Sequence, residues 1–469
     1  MNADRWRKSA LAAIGAVLLM LTGVGLWRQQ AYDTDGFTVL ALVQGAFYLG
    51  AVALTWRGGL SRRALIAALA VAALMRVAVL LAPPYLSDDI NRYVWDGRVE
   101  AAGINPYRYV PADPHLAALR DGTVFPKINR ADYAPTIYPP VAEYIFFLGT
   151  RLGESLTAMK ATLLAFELAG VLMLLRLLAE LRLPRERILI YAWHPLTLWE
   201  FAGSGHVDAA IVTFVALALW ARRREKAWLT GSALAAAALV KFFPAVLFPA
   251  LYRRWDWKLP AAAAATVIVA YLPFLGAGKA VLGFLPGYLR EEGLQSGTGF
   301  FLWNLLGTVA PSLEHLGPAP YLALAATALL AIAVRSVFAA GDRYLASALT
   351  LAVATTVLLS PHYPWYFAWI VPLICFTPRP SVLYLTVACP LLYFVPGGGA
   401  LAGERMPFEL AIYGPFAALI VFELWRQRAS RTGISGASRG PVNAYPALKG
   451  RDSRQLEAGV PARDEDIDG

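Results

Sequence analysis

The stretch Ala64-Leu65-Ile66-Ala67-Ala68-Leu69-Ala70-Val71-Ala72-Ala73-Leu74-Met75-Arg76-Val77-Ala78-Val79-Leu80-Leu81-Ala82 runs straight into Pro83-Pro84-Tyr85-Leu86-Ser87-Asp88-Asp89-Ile90-Asn91-Arg92. Its first part approaches the length of a bilayer-crossing helix, which takes about 20 mostly apolar residues. Its second part is charge-dense, and adjacent carboxylates are costly in hydrocarbon unless they face water. The junction therefore reads as a span ending at a water-exposed membrane rim.

Two more runs, Ser9–Trp27 and Phe37–Trp56, have the same length and character. Hydrophobic residues make up 58% of the 469 positions, charged residues 16%, and the mean hydropathy is +0.51. A soluble domain would carry about a quarter charged residues. The expected fold is all-α and polytopic. The first run follows Arg5, Arg7 and Lys8 as a secretory signal would, but a convincing small-residue cleavage site is missing and many spans follow, so it reads as an anchor.

The net charge of +10 is concentrated in short loops: Arg57/Arg62/Arg63, Arg182/Arg185/Arg187, Arg222–Arg224 with Lys226, Arg253/Arg254/Lys258 and Arg426/Arg428/Arg431. Loops held in the cytoplasm show this excess, so the charge marks topology and contact with anionic lipid rather than nucleic acid. With the N-terminus inside, the third span exits at Pro83-Pro84 and leaves Pro84–Tyr138 outside. Pro139–Gly153 is too short for a usual span, and the arginines at 182–187 favour an interfacial or re-entrant helix there. Leu156–Leu178, Ile188–Ser204, Val207–Ala221, Trp228–Leu239, Phe242–Leu251, Leu259–Leu275 and five later runs complete roughly 12–14 expected crossings.

Four regions follow: N-terminal spans (1–83), an outer loop with interfacial helices (84–155), a helix bundle (156–425) and a cytoplasmic tail (426–469). The tail is rich in Ser, Gly and Arg, without apolar periodicity, and is expected to be disordered. Both termini lie inside a plasma (inner) membrane on this map. Asp88/Asp89, His206/Asp208, Lys241, Arg290 and His362 all fall on the outer side, although loop arginines alone set the assignment.

Within the outer loop, Ser87 is suited to cap a helix, and Ile90, Tyr93, Val94, Gly97 and Ala101 recur at helical spacing until Gly103 and Asn105-Pro106. The segment is expected to be an amphipathic surface helix. Asp88 and Asp89 occupy its first turn, where the helix dipole favours the ionised form. Asp88, Arg92 and Asp96 lie four apart and fit a surface ion-pair row. Capping and ion pairing alone would account for these carboxylates. An ionised pair just beyond a span also suits proton abstraction from a hydroxyl, or cation binding.

The pattern Asp88-Asp89, Arg92-Tyr93, Asp96-Gly97-Arg98, Gly103-Ile104-Asn105-Pro106-Tyr107, Tyr133 and Tyr138-Pro139-Pro140 resembles the first outer loop of GT-C glycosyltransferases. It looks most like the prokaryotic polyprenol-phosphate-mannose-dependent mannosyltransferases, and is similar to the eukaryotic mannosyltransferase acting first on glycosylphosphatidylinositol. Lys241-Phe242-Phe243-Pro244 is similar to their Lys-x-x-Pro turn, with Val240 where an aromatic usually stands. The resemblance spans about Leu80 to Tyr366. It implies inverting transfer of a sugar, mannose as first guess, from a polyprenyl-phosphate donor to a hydroxyl of a lipid or glycan acceptor. Asp88 or Asp89 would be the base, with Asp88 favoured because the first acidic position usually carries this role. Some members bind a divalent metal and others do not, and the residues leave that open.

A lipid-phosphate leaving group calls for positive charge where negative charge develops. Lys241, flanked by Leu239-Val240 and Phe242-Phe243, is a candidate, with snorkelling to the interface as its bland reading. Glu200, His206 and Asp208 flank Gly203-Ser204-Gly205, where two short spans meet. His206 and Asp208 are suited to bind sugar or phosphate, or simply to satisfy a turn. His362, Arg92 and Arg290 are further phosphate or sugar candidates. Trp95, Tyr107 and Tyr138 either stack on sugar faces or pack the loop. His194, Cys375 and Cys389 read as core residues. The chain contains no P-loop, dinucleotide fingerprint or serine elbow. The competing reading is a transporter or flippase of a lipid-linked or small polar substrate, since intramembrane charges also line conduction paths; a scaffold is a third. Paired repeats of the transporter kind are not visible.

Overall fold

The computed structural model describes residues 3–394 and 402–431. These residues are helical with no strands, in the order α1 (Ala3–Gln30), α2 (Thr34–Thr55), α3 (Arg62–Leu80), α4 (Asp89–Ala101), α5 (Pro140–Leu152) and α6 (Leu156–Glu180). Beyond a run of short turns come α7 (Asp208–Arg223), α8 (Ala227–Ala238), α9 (Lys258–Tyr271), α10 (Ala319–Val337) and α11 (Arg343–Leu359), with short helices between and after them. The chain divides into compact units Met1–Ile420 and Val421–Gly469. Of the second, residues 421–431 are described and helical, so 426–431 do not begin a disordered tail. The rest of the expected tail lies outside the described residues.

Seven described helices are long and apolar enough to cross a membrane, eight if one bent pair counts as a single span. Four shorter apolar helices of 10–17 residues join them. The other expected crossings correspond to short or broken pieces, because prolines and polar turns interrupt the apolar runs. Ile188–Ser204, for example, is built from Arg185–Ile188, Leu189–Ala192, Pro195–Thr197 and Leu198–Gly203. Only 11% of the apolar window of α10 is buried. An apolar face so exposed is suited to lipid, where backbone groups are satisfied within the helix.

The bundle holds charged side chains where their neighbours can satisfy them. Arg76 of α3 places Nε and Nη2 3.1 and 2.8 Å from Glu167 of α6, while its Nη1 donates to the Ala192 carbonyl at 2.7 Å. The Tyr191 hydroxyl donates to the same carboxylate at 2.8 Å. Desolvation makes a buried ion pair expensive unless its remaining hydrogen bonds are met, and here they largely are. Lys160, buried on α6, donates Nζ to the carbonyls of Val79 and Ala82 at 2.9 and 2.8 Å. An ammonium at a helix C-terminus satisfies orphan carbonyls and suits the dipole. It ties the point where α3 leaves the bundle.

The expected surface helix is present as α4, but it does not lie on a surface. Ile90 through Gly97 are all buried against α5, α6 and the 3-10 turns Pro114–Leu119 and Phe125–Lys127. A Cβ added at Gly97 would come 2.3 Å from the Phe146 carbonyl oxygen, so α4 and α5 approach backbone to backbone. The expected ion-pair row is corrected likewise. Arg92 pairs with Asp96 at 2.8 Å in the interior and donates Nη1 to the Ala134 carbonyl at 3.0 Å, while Asp88 stands outside the pair. Asp88 is the residue preceding α4, and Ser87 Oγ accepts from the Asp89 amide at 3.2 Å.

Past α6, the pieces Pro195–Gly203 and Asp208–Arg223 meet at a bend of 118°. Gly205 sits in this bend with φ +74°, and a Cβ there would come 2.6 Å from Ile90 Cδ1. The bend thus presses against the start of α4. Helix α6 packs on α7, α7 on α8 and α8 on α9. At the far end of α7, about 24 Å away at 1.5 Å per residue, a cavity of about 130 Å³ is lined by Arg222, Arg223, Arg253, Glu225 and Asp342.

Candidate active site

Asp89 opens α4 with its side chain 24% exposed, at the edge of the 204–207 bend. Its Oδ1 accepts from Asn129 Nδ2 at 3.3 Å, and its Oδ2 lies 3.8 Å from His206 Nδ1. Partial burial raises this carboxyl above its ordinary value, against the lowering pull of Lys241, the Asn129 hydrogen bond and Arg130. Asp208 adds to the rise. A carboxylate made more basic yet still near water is suited to take a proton from a hydroxyl.

The bend supplies the next groups. Leu198–Gly203 is a π-helical turn, a feature found disproportionately at functional sites. It buries Glu200, whose Oε1 accepts from the Tyr393 hydroxyl at 2.6 Å. Glu200 Oε2 lies 3.5 Å from His206 Nε2. The imidazole is stacked on Trp365 with ring centroids 4.4 Å apart, and its backbone amide donates to the Glu200 carbonyl at 3.0 Å. Asp208 follows as the first residue of α7, where the helix dipole favours a negative charge.

Lys241 closes the group. Its Nζ donates to Asp208 Oδ2 at 2.6 Å and lies 4.9 Å from the Tyr366 ring centroid. The side chain is 13% exposed, so the ammonium is held at the cluster rather than extended to open solvent. Asp208 Oδ1 is buried without a hydrogen-bond partner. Three stretches that are distant in sequence thus converge: the start of α4, the bend running into the start of α7, and the turn after α8.

A second group adjoins it. The hydroxyls of Tyr288 and Tyr366 are in hydrogen-bond contact. His362 Nδ1 lies 3.6 Å from Glu292, and burial, with Arg405 nearby, lowers its imidazole to about 4. Glu291 is engaged by Arg130 at 2.5 Å and by the Tyr133 hydroxyl at 3.0 Å. Arg290 is exposed.

Of the residues singled out from sequence, the structure brings together Asp89, His206, Asp208 and Lys241, with His362 one shell of aromatics away. Asp88, the favoured base on resemblance, is exposed and contributes its carbonyl to Asn91. Arg92 faces Asp96 in the loop interior. Trp95, Tyr107 and Tyr138 are 1, 1 and 4% exposed and pack the loop. Trp95 lies against Phe125, Tyr107 donates to the Tyr138 carbonyl at 2.6 Å, and Tyr138 stands edge-on to Tyr93. His194 is the hydrogen-bonded core residue expected, and both cysteines are free and buried. Asn129 and Tyr393 carry no signal in the sequence, and Trp365, beside His362, reads there as an aromatic of the membrane-interface belt. Among the described residues, no group of three or more His, Cys, Asp or Glu side chains is arranged to hold a metal ion.

The structure is a helical bundle with apolar membrane-length helices and with acidic, basic and imidazole groups gathered where a loop meets a broken span. The chain belongs to the MptA/B family, described as alpha-(1->6)-mannopyranosyltransferase, N-terminal domain, whose pattern matches residues 5–256. Asp89, Glu200, His206, Asp208 and Lys241 fall inside that match, and Trp365, Tyr366 and Tyr393 lie beyond it. No curated protein and no solved structure matches the chain.

Proposed function

We propose that the protein transfers mannose from a polyprenyl-phosphate donor to an acceptor hydroxyl at the outer face of the inner membrane, with inversion and with the termini inside. The family's description suggests an α-(1→6) linkage as the product. Asp89 takes the hydroxyl proton as the new carbon–oxygen bond forms and the bond to phosphate breaks. Lys241, oriented by Asp208, stabilises the charge that develops on the departing phosphate. The donor's polyprenyl tail stays in lipid beside the exposed apolar helices. The observation that carries this reading is the approach of Asp89 to the Lys241–Asp208 pair around His206.

The test uses purified protein in lipid nanodiscs with radiolabelled polyprenyl-phosphate mannose and an α-mannoside acceptor. Label should pass to the acceptor, and Asp89→Asn should remove transfer while leaving the protein folded. Full transfer by Asp89→Asn would remove the proposed base.

A further inference from the structure

We propose that the cavity at the far end of α7 binds the phosphate of an anionic phospholipid, on the membrane face opposite the candidate active site. Its walls come from four connections. The last turn of α7 gives Arg222 and Arg223, the turn into α8 gives Glu225, and the loop before α9 gives Arg253. The turn between α10 and α11 gives Asp342, with Tyr344 just after it. Arg253 Nη1 lies 2.7 Å from Glu225, and Arg223 Nη1 lies 3.4 Å from Asp342, so both carboxylates are engaged. Asp256, which lines the adjoining hollow, accepts from the Lys258 amide at 3.0 Å.

Arg222 is the lining guanidinium not paired with a carboxylate. It lies over the Tyr344 ring, 5.2 Å from the centroid, and Tyr344 is fixed in turn by donating its hydroxyl to the Leu219 carbonyl at 3.2 Å. Arg222 Nε is buried without a hydrogen-bond partner. The helix dipole favours a cation in the last turn of α7, which accounts for an arginine there but not for a buried donor left unspent beside open volume. A guanidinium held by an aromatic face keeps its in-plane donors for an oxyanion. A phosphodiester carries one negative charge and matches this one uncompensated cation. A zwitterionic headgroup would instead bring its own cation against Arg223 and Arg253.

Two neighbouring features favour a lipid over a free phosphate. Trp228 and Trp257 follow Ala227 and Asp256, which line the adjoining hollow, and both are exposed, as is Trp255. Tryptophans placed so mark the headgroup level of a bilayer. Arg254, next to Arg253, lies 5.4 Å from the Trp255 ring centroid and 5.5 Å from that of Phe338. From Phe338 back along α10, Val334 and Leu330 follow at four-residue steps, and all three are exposed on one face. That stripe gives an acyl chain an apolar track leading away from the cavity. Basic pockets between membrane helices hold anionic headgroups in this manner.

The experiment titrates the purified full chain, in nonionic detergent, with phosphatidylglycerol, phosphatidylethanolamine and inorganic phosphate. Lipid retention is followed by native mass spectrometry and phosphate binding by calorimetry. No sugar transfer is measured, so the outcome is independent of the donor, acceptor and base proposed above. One phosphatidylglycerol per chain should be retained in preference to phosphatidylethanolamine. Arg222→Gln should weaken that binding about tenfold or more. Arg224→Gln, which removes an exposed charge paired with Glu180 at the same helix end, should leave it nearly unchanged. Equal weakening in both variants means diffuse surface attraction and overturns the site, as does equal retention of the two lipids. Inorganic phosphate that binds through Arg222 as tightly as the lipid overturns the lipid source. If Arg222→Gln fails to fold, phosphatidylglycerol with a photoactivatable acyl chain decides on the wild-type protein. Its label should fall on Leu330–Phe338, and label spread evenly over other helices overturns the proposal.

Discussion

Lys241 Nζ sits 2.6 Å from Asp208 Oδ2, joining the turn after α8 to the first residue of α7. The aspartate is completely buried, and Tyr366 and Phe243 flank the ammonium. Removing one member of such a pair leaves the other charge without compensation in a desolvated place, which costs far more than an exposed pair would.

Lys241→Met should therefore lower kcat by about 100- to 1,000-fold, the usual loss when a donor to a developing charge is removed. Asp208→Asn should also reduce transfer. Because the two side chains act as a unit, the double variant should lose much less than the product of the single losses. Transfer assays on the three purified variants check this.

The two adjacent aspartates should separate cleanly. Asp88 is exposed and holds no group of the cluster, so Asp88→Asn should keep activity within about threefold of the parent, in the range of surface substitutions. Asp89→Asn should lose about 1,000-fold or more. Equal losses in both would contradict the orientation of α4.

Glu100 provides a pH dependence at the α4–α5 junction. Burial first, and the nearby Asp96 second, push its carboxyl up from 4.5 to about 8. In the unfolded chain the proton leaves near the lower value, while the folded protein keeps it to about 8. The folded state thus binds more protons across that window, and its stability falls as pH rises from about 4.5 to about 8, levelling above it. Glu100→Gln should flatten this part of a thermal-unfolding series run from pH 5 to 9.

Glu167 tests the bundle itself. Glu167→Ala strands Arg76 in the interior and should destabilise by about 3–5 kcal/mol. Replacing both residues with apolar ones of similar volume should recover most of that loss. Thermal unfolding of detergent-solubilised single and double variants checks the pair.

The membrane class and the acidic loop were legible because their signals are local. Apolar length marks α1, α2, α3 and α6, and the helical spacing of Ile90, Tyr93, Val94 and Gly97 marks α4. The same spacing misled about exposure. Charges at Arg92 and Asp96 read as a solvent face, whereas each neutralises the other inside the loop, a compensation that depends on tertiary packing. The partition between Asp88 and Asp89 was invisible, since it is set by where the 204–207 bend presses on α4. Lys241 could be singled out because a charge stood alone among apolar residues. Tyr393 and Trp365 could not, since aromatics in apolar runs are common and their partners lie far away in sequence. The broken spans were also hard to read, because proline-rich apolar segments retain the hydropathy of a crossing after losing its continuity.

Lys160 makes the same point without a part in the chemistry, its side chain packed against Gly205 of the bend. By gripping the carbonyls of Val79 and Ala82, at and just past the end of α3, it sets the height at which the acidic loop leaves the bundle. An inactive variant at this position would thus report a slipped hinge rather than missing chemistry, and a mutational screen scored on turnover alone would mistake this ammonium for a catalytic group.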